Sequence, residues 1–141
     1  MSPKSRRLAG ILLIVLPTVI YGGVSLLGML IHDPAYMQNP LRQNLFRAGH
    51  AHAGVLLVLS LVILRYVDEA NLSEQWKTIV RYFIPSAAIF MPAAFFFSVL
   101  KADATKPNAL INLAYIGAIM LIAGLIALGI GLVRGKESRP F

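Results

Sequence analysis

Four long apolar runs divide the sequence, and they restrict the chain to one class of fold. The runs cover about residues 8–31, 41–65, 78–100 and 109–133. Each is long enough to cross the hydrocarbon core of a bilayer as a helix, which takes about 20 residues. Of the 141 residues, 57% are apolar and only 13% are charged, whereas about a quarter of a soluble domain is charged. The sequence therefore predicts an all-α integral membrane four-helix bundle, with residues 1–141 as a single transmembrane domain.

The basic residues indicate topology rather than a nucleic-acid partner. The formal net charge is +7, but the lysines and arginines lie mostly at the ends of the apolar runs, where they set the orientation of a membrane protein. With a cytoplasmic N-terminus, nine of the thirteen fall on the inner side, and we predict that both termini are cytoplasmic. These nine residues are Lys4, Arg6, Arg7, Arg65, Lys77, Arg81, Arg134, Lys136 and Arg139.

The first apolar run is predicted to be a retained span. It is too long for the apolar part of a signal peptide, and no cleavage site of the A-x-A type closes it. Tyr21, Ser25, Gly28 and His32 are spaced to share one helical face, so we expect this face to point into the bundle. The alternative for His32 is that it simply marks the interfacial end of the span.

The fourth run also carries two patterned faces. Asn108, Asn112 and Tyr115 form a polar stripe at its start, on the side of the membrane that holds the histidines. Further along, Ala123, Ala127 and Gly131 form a ridge of small residues, which permits close approach of another helix. The chain has no cysteine, and this excludes disulfides and thiolate metal sites.

The strongest candidate for a functional site is the segment Arg47–Gly54, which we call the histidine segment. His50 and His52 lie near the start of the second run, where imidazoles are costly in lipid and usually face a cavity, a cofactor or another helix. Residues two apart on a helix point about 200° apart, so the two rings have different roles in an undistorted helix. Arg47 lies beside His50 and suits an anionic partner such as a carboxylate or propionate. The other five residues are alanine or glycine, which leaves room for a helix or a macrocycle.

Two resemblances bear on this segment. The motif FRAGHAHAG, the proline-containing third span and the PNxxxN start of the fourth resemble a group of small, uncharacterised four-span bacterial membrane proteins. This resemblance covers most of the chain and implies a multi-pass protein of the bacterial cytoplasmic membrane. The HAH triplet is similar, over about eight residues, to NnrS-type and haem–copper-oxidase-like membrane proteins, whose histidines bind haem or copper. The chain departs from the NnrS pattern at Ala53, where an acidic residue commonly follows the triplet.

The leading hypothesis is a small membrane protein that binds haem b and has a redox or electron-transfer role. One of His50 and His52 is then an axial ligand, and the second axial position is filled by His32, filled by another subunit, or open. Arg47, Asn112 and Tyr115 are expected to hydrogen-bond the propionates or a distal ligand. Copper or zinc bound by His50 and His52 is the alternative, since imidazole suits these ions as well.

Two further classes remain open. The chain fits a non-catalytic accessory or scaffold subunit of a larger membrane complex, in which the histidines donate hydrogen bonds between helices. It also fits a small permease, although it lacks the inverted repeat and the paired acidic residues common in transporters. Whether it is an enzyme is left open. Hydrolytic or nucleophilic chemistry has little support, because the apolar spans carry no carboxylate pair and no Ser–His–Asp set follows from the spacing. The expected partners are the lipid bilayer and either further copies of the chain or a larger complex.

Overall fold

The computed structural model describes residues 1–135, and within this range every regular element is helical. Lys136 and Arg139, two of the basic residues that indicate topology, lie outside the described residues. Four helices are long and apolar enough to cross a membrane, which confirms the predicted fold class. The elements are α1 (Pro3–His32), the short α2 (Pro34–Met37), α3 (Pro40–Tyr66), α4 (Glu74–Ser98), a 3₁₀ turn (Ala109–Asn112) and α5 (Leu113–Val133).

Polar caps explain why two helices begin before their apolar runs. The Ser2 hydroxyl accepts a hydrogen bond from the Ser5 N–H at 3.2 Å, so α1 begins at Pro3 rather than at residue 8. The Ser73 hydroxyl accepts from the Trp76 N–H at 3.4 Å, so α4 begins at Glu74 rather than at residue 78. The apolar run marks only the part of a helix that lipid surrounds, whereas the cap fixes where the helix starts.

The long helices pack in chain order, with α1 on α3, α3 on α4 and α4 on α5. The pair α3–α4 forms the centre, and α1 and α5 lie on its two sides. Leu12 of α1 packs with Leu57 and Leu64 of α3, whereas none of the most apolar window of α1 is buried. The outer face of α1 is therefore available to lipid or to another protein.

The four crossings place the start of α1, the end of α3, the start of α4 and the end of α5 together at one end, which we call the terminal end. The opposite end, which we call the loop end, carries α2 and the α4–α5 connection. The first and last described residues, 1 and 135, therefore lie at the same end of the bundle. That this end is cytoplasmic stays a prediction from the charge count.

Glycines set the contact of α5 with α4 and with the connection that precedes α4. A Cβ added to Gly117, Gly124 or Gly131 would lie 2.5–2.7 Å from a side-chain carbon of Met91, Ile84 or Leu72, respectively. These glycines are seven residues apart and thus recur on one face of α5. Of the predicted ridge of small residues, only Gly131 lies in this close contact. Ala123 and Ala127 instead line an open groove.

Candidate functional site: the histidine segment and two buried arginines

His50 faces α1. A Cβ added to Gly23 would lie only 3.0 Å from the His50 Nε2 atom, and one added to Gly22 would lie 3.7 Å from Nδ1. The two glycines therefore provide the space that the imidazole occupies. A side chain at Gly23 would require the His50 ring to shift by a few tenths of an ångström, so this glycine allows the ring to lie close to α1.

His52 faces α4. Its Nδ1 atom lies 2.7 Å from the carbonyl oxygen of Ala48, one turn earlier in α3, and its ring centroid lies 5.0 Å from that of Phe95. The two imidazoles thus lie on opposite faces of α3, as their spacing predicts, and in this arrangement they do not share a metal ion. Residues 1–135 contain no group of three or more His, Asp or Glu side chains placed to hold a metal ion.

The other predicted site residues do not converge on the histidines. Arg47 is exposed and donates to the backbone and side-chain oxygens of Gln43, both at 3.1 Å. Asn112 and Tyr115 are exposed at the start of the fourth span, and Tyr115 is 68% exposed. Because that span lies on the α4 side of the bundle, these residues do not meet His50 on its α1 side.

The polar stripe on α1 faces away from the bundle, so the prediction that it points inward is wrong. Tyr21 is 72% exposed, and a Cβ added to Gly28 would meet no atom within 4 Å. The Ser25 hydroxyl donates to the Tyr21 carbonyl at 2.9 Å and needs no partner from another helix. His32 is exposed at the last residue of α1, which fits the alternative that it marks the interfacial end of the span.

The arrangement leaves little space beside either imidazole. The His50 Nε2 atom lies close to the Gly23 position of α1, where an added Cβ would be 3.0 Å away. On the other face, the His52 ring packs beside Phe95 of α4. The structure does show one feature of a ligating histidine at His52. Its Nδ1 is engaged by a backbone carbonyl, which orients the ring and leaves Nε2 as the nitrogen for a ligand.

A buried arginine lies at the loop end. Arg42 is only 6% exposed, and it donates from Nε to the Val99 carbonyl at 3.2 Å and from Nη2 to the Leu100 carbonyl at 3.4 Å. Its guanidinium carbon lies 5.1 Å from the ring centroid of Phe46 and 5.8 Å from that of Tyr36. The two carbonyls follow the end of α4, where the helix dipole is negative, so Arg42 joins α3 to the end of α4.

A second buried arginine lies in a network at the terminal end. Arg81 is 3% exposed, and its Nη2 lies 2.7 Å from Oδ1 of Asp68 while its Nε donates to the Ser5 hydroxyl at 3.0 Å. Asp68 also accepts from the Ser5 hydroxyl at 3.1 Å and from the Ser2 N–H at 2.5 Å. This network, which we call the terminal clasp, joins the start of α1, the connection after α3 and the second turn of α4.

The sequence patterns did not identify either buried arginine as a residue that joins helices. In the sequence, Arg81 counts only as a topology signal, and neither Arg42 nor Asp68 belongs to a predicted site. One signal was available for Arg81, because it lies about two turns inside α4, where a charge without a partner is costly. The partner itself comes from a different part of the chain, and helical spacing does not predict that contact.

The terminal clasp makes the free energy of unfolding depend on pH in the acidic range. Burial raises the pKa of Asp68, but the hydrogen bonds from Ser2, Arg81 and Ser5 outweigh it and hold the pKa at about 2, below the ordinary 3.8. Because the folded pKa is lowered, the carboxylate stabilises the fold above pH 3.8, and this contribution of about 2 kcal/mol disappears as the pH falls through about 2. We expect unfolding in detergent to show this loss, with a smaller acid dependence in Asp68→Asn. Equal acid dependence in both proteins would contradict the assignment.

Comparisons with known proteins give no relative from which to transfer a function. No protein-family model matches the chain, no curated protein matches it, and no solved structure matches it. The interpretation of the histidine segment therefore depends on its own geometry.

Proposed function

We propose that the chain is a non-catalytic accessory or scaffold subunit of a larger membrane complex. One observation carries the proposal: two histidines and two buried arginines each face a different neighbouring part of their own chain instead of a shared cavity. His50 faces α1, His52 faces α4, and the two buried arginines bind at opposite ends of the bundle. Catalytic groups need the opposite arrangement, in which several side chains converge on one reacting atom.

The outer face of α1 supplies the surface for such a role. Among the long helices, α1 packs mainly on α3, and the whole of its most apolar window is unburied. Large apolar side chains on this face, such as Ile14 at 79% and Ile20 at 64% exposure, extend toward the membrane. A helix of another subunit packs on such a face by van der Waals contact, as membrane helices do.

A second candidate function is binding of haem b, or of copper or zinc, at His52. The Nδ1 contact with the Ala48 carbonyl favours it, because ligating histidines commonly bond a carbonyl through the other ring nitrogen. Imidazole suits haem iron as well as the two ions. Since the other predicted ligands do not converge on His52, the remaining ligands would come from a partner subunit. The chain's own contribution is then to orient one imidazole.

One preparation separates the two candidates. The protein is extracted with its partners in a mild detergent and examined by native mass spectrometry, absorption spectroscopy and metal analysis. We expect a stoichiometric partner polypeptide without a Soret band and without copper or zinc, and the same result for His50→Ala and His52→Ala. A Soret band or a bound metal that His52→Ala loses and His50→Ala keeps would replace the proposal with the second candidate. A protein that is extracted without any partner would also overturn it.

A further inference from the structure

An apolar groove lies at the terminal end, on the side of the bundle away from the histidines. It has a volume of about 550 Å³ and lies between α5 and the segment that leads into α4. Its floor and walls include Ala123, Ala127 and Ile130 of α5 together with Leu72 and Trp76. Arg134, directly after α5, also lines the groove.

Specific contacts fix the shape of this groove. The Asn71 N–H donates to the Gly131 carbonyl at 2.9 Å, which holds the α3–α4 connection on the last turn of α5. Leu72 packs directly on Gly131, where an added Cβ would lie 2.5 Å from its Cγ atom. The wall formed by the connection is thus attached to α5, so the groove is a built feature of the fold.

The length of the groove matches one leaflet of a bilayer. From Ala123 to Arg134 the lining residues follow one face of α5 for about 16 Å, at 1.5 Å per residue. Half of the hydrocarbon core measures about 15 Å. A transmembrane helix of a partner would contact α5 over the whole core, whereas a lipid chain of one leaflet ends at the middle of the membrane. The dimensions therefore favour an acyl chain.

The polar end of the groove fits an anionic headgroup. Arg134 is exposed there, and Trp76, which is 51% exposed, lies at the same end. Tryptophan is typical of the headgroup region, and each arginine near the surface attracts anionic lipid by about 1 kcal/mol. From this combination we infer that the groove binds one acyl chain of an anionic phospholipid, whose phosphate lies at Arg134.

Native mass spectrometry of the full chain tests this inference. The protein is reconstituted with equal amounts of phosphatidylglycerol and phosphatidylcholine that carry the same acyl chains. We expect one phosphatidylglycerol retained per chain, and a loss of about fivefold in its preference over phosphatidylcholine in Arg134→Gln. Arg6→Gln is the matched control, because Arg6 is exposed at the same end but lies on α1.

A second pair of variants tests the apolar part of the groove. Ala127→Phe fills the groove and is expected to remove the retained lipid, whereas Gly129→Phe leaves it bound, because a Cβ at Gly129 meets no atom within 4 Å. Ala123→Phe serves if Ala127→Phe does not fold, since Ala123 is exposed and lines the same groove. Lipid retention unchanged by filling the groove, or an Arg134→Gln variant with unchanged lipid preference, would overturn the inference. Loss of a second copy or of a partner chain from Ala127→Phe, with lipid retained, would identify the groove as a protein interface instead.

Discussion

Asp68→Asn is expected to lower the free energy of unfolding by about 3 kcal/mol. The substitution removes the charge that compensates Arg81, whose side chain is only 4% exposed. The other carboxylate near Arg81 is Glu74, at 3.7 Å from Nη1, but its side chain is 72% exposed and Nη1 has no hydrogen-bond partner. A buried guanidinium without a close carboxylate destabilises the fold, because it has lost its hydration and no opposite charge compensates for that loss.

The matched control for this variant lies one residue further along the chain. Glu69→Gln also changes a carboxylate to an amide, and it breaks the ion pair with Arg65. In that pair both side chains are more than half exposed, at 60% and 51%, so we expect a change below about 0.5 kcal/mol. Reversible unfolding in mixed micelles measures both variants. A similar small effect in the two proteins would show that the terminal clasp contributes little to stability.

Gly117→Leu is expected to destabilise the protein by about 3 kcal/mol or to separate α4 from α5. A Cβ at Gly117 would lie 2.6 Å from the Met91 Cγ atom and 3.2 Å from the Met91 backbone nitrogen, and a backbone atom does not rotate away. The helices must therefore move apart, and the contacts along their interface weaken together.

Gly129→Leu is the control on the same helix. A Cβ there meets no atom within 4 Å, so the new side chain extends into lipid or detergent. Leucine is also a better helix former than glycine by roughly 0.8 kcal/mol, and we expect unchanged or slightly raised stability. The same unfolding measurement serves both variants. Equal destabilisation by the two leucines would show that the effect belongs to the loss of glycine and not to the helix contact.

The number of membrane helices and most of their bounds are predictable from the sequence, because hydropathy and helix caps are local signals. The fourth run is an example, since its predicted bounds, 109–133, are those of the fourth long apolar helix in the structure. The opposite directions of His50 and His52 follow from helical spacing alone.

The neighbours of those histidines are not predictable in this way. A Gly-Gly pair such as Gly22–Gly23 is compatible with a bend in the helix and with close packing of another helix, and the sequence does not decide between them. Only the packing of α1 on α3 in the structure places the pair against His50. The prediction that the polar stripe on α1 points into the bundle was wrong for a related reason. A serine that bonds its own backbone is satisfied on a lipid-facing side, so polarity does not decide which face points inward.

The terminal clasp also bears on how the protein is assembled during synthesis. Its members come from the first helix, from the connection after the second crossing, and from the third crossing, with Ser5 76 residues before Arg81 and Asp68 13 residues before it. Domains and helices emerge from the ribosome in order, N-terminal part first. Asp68 is therefore synthesised before its arginine, and the clasp is complete only once Arg81 of the third crossing has been made.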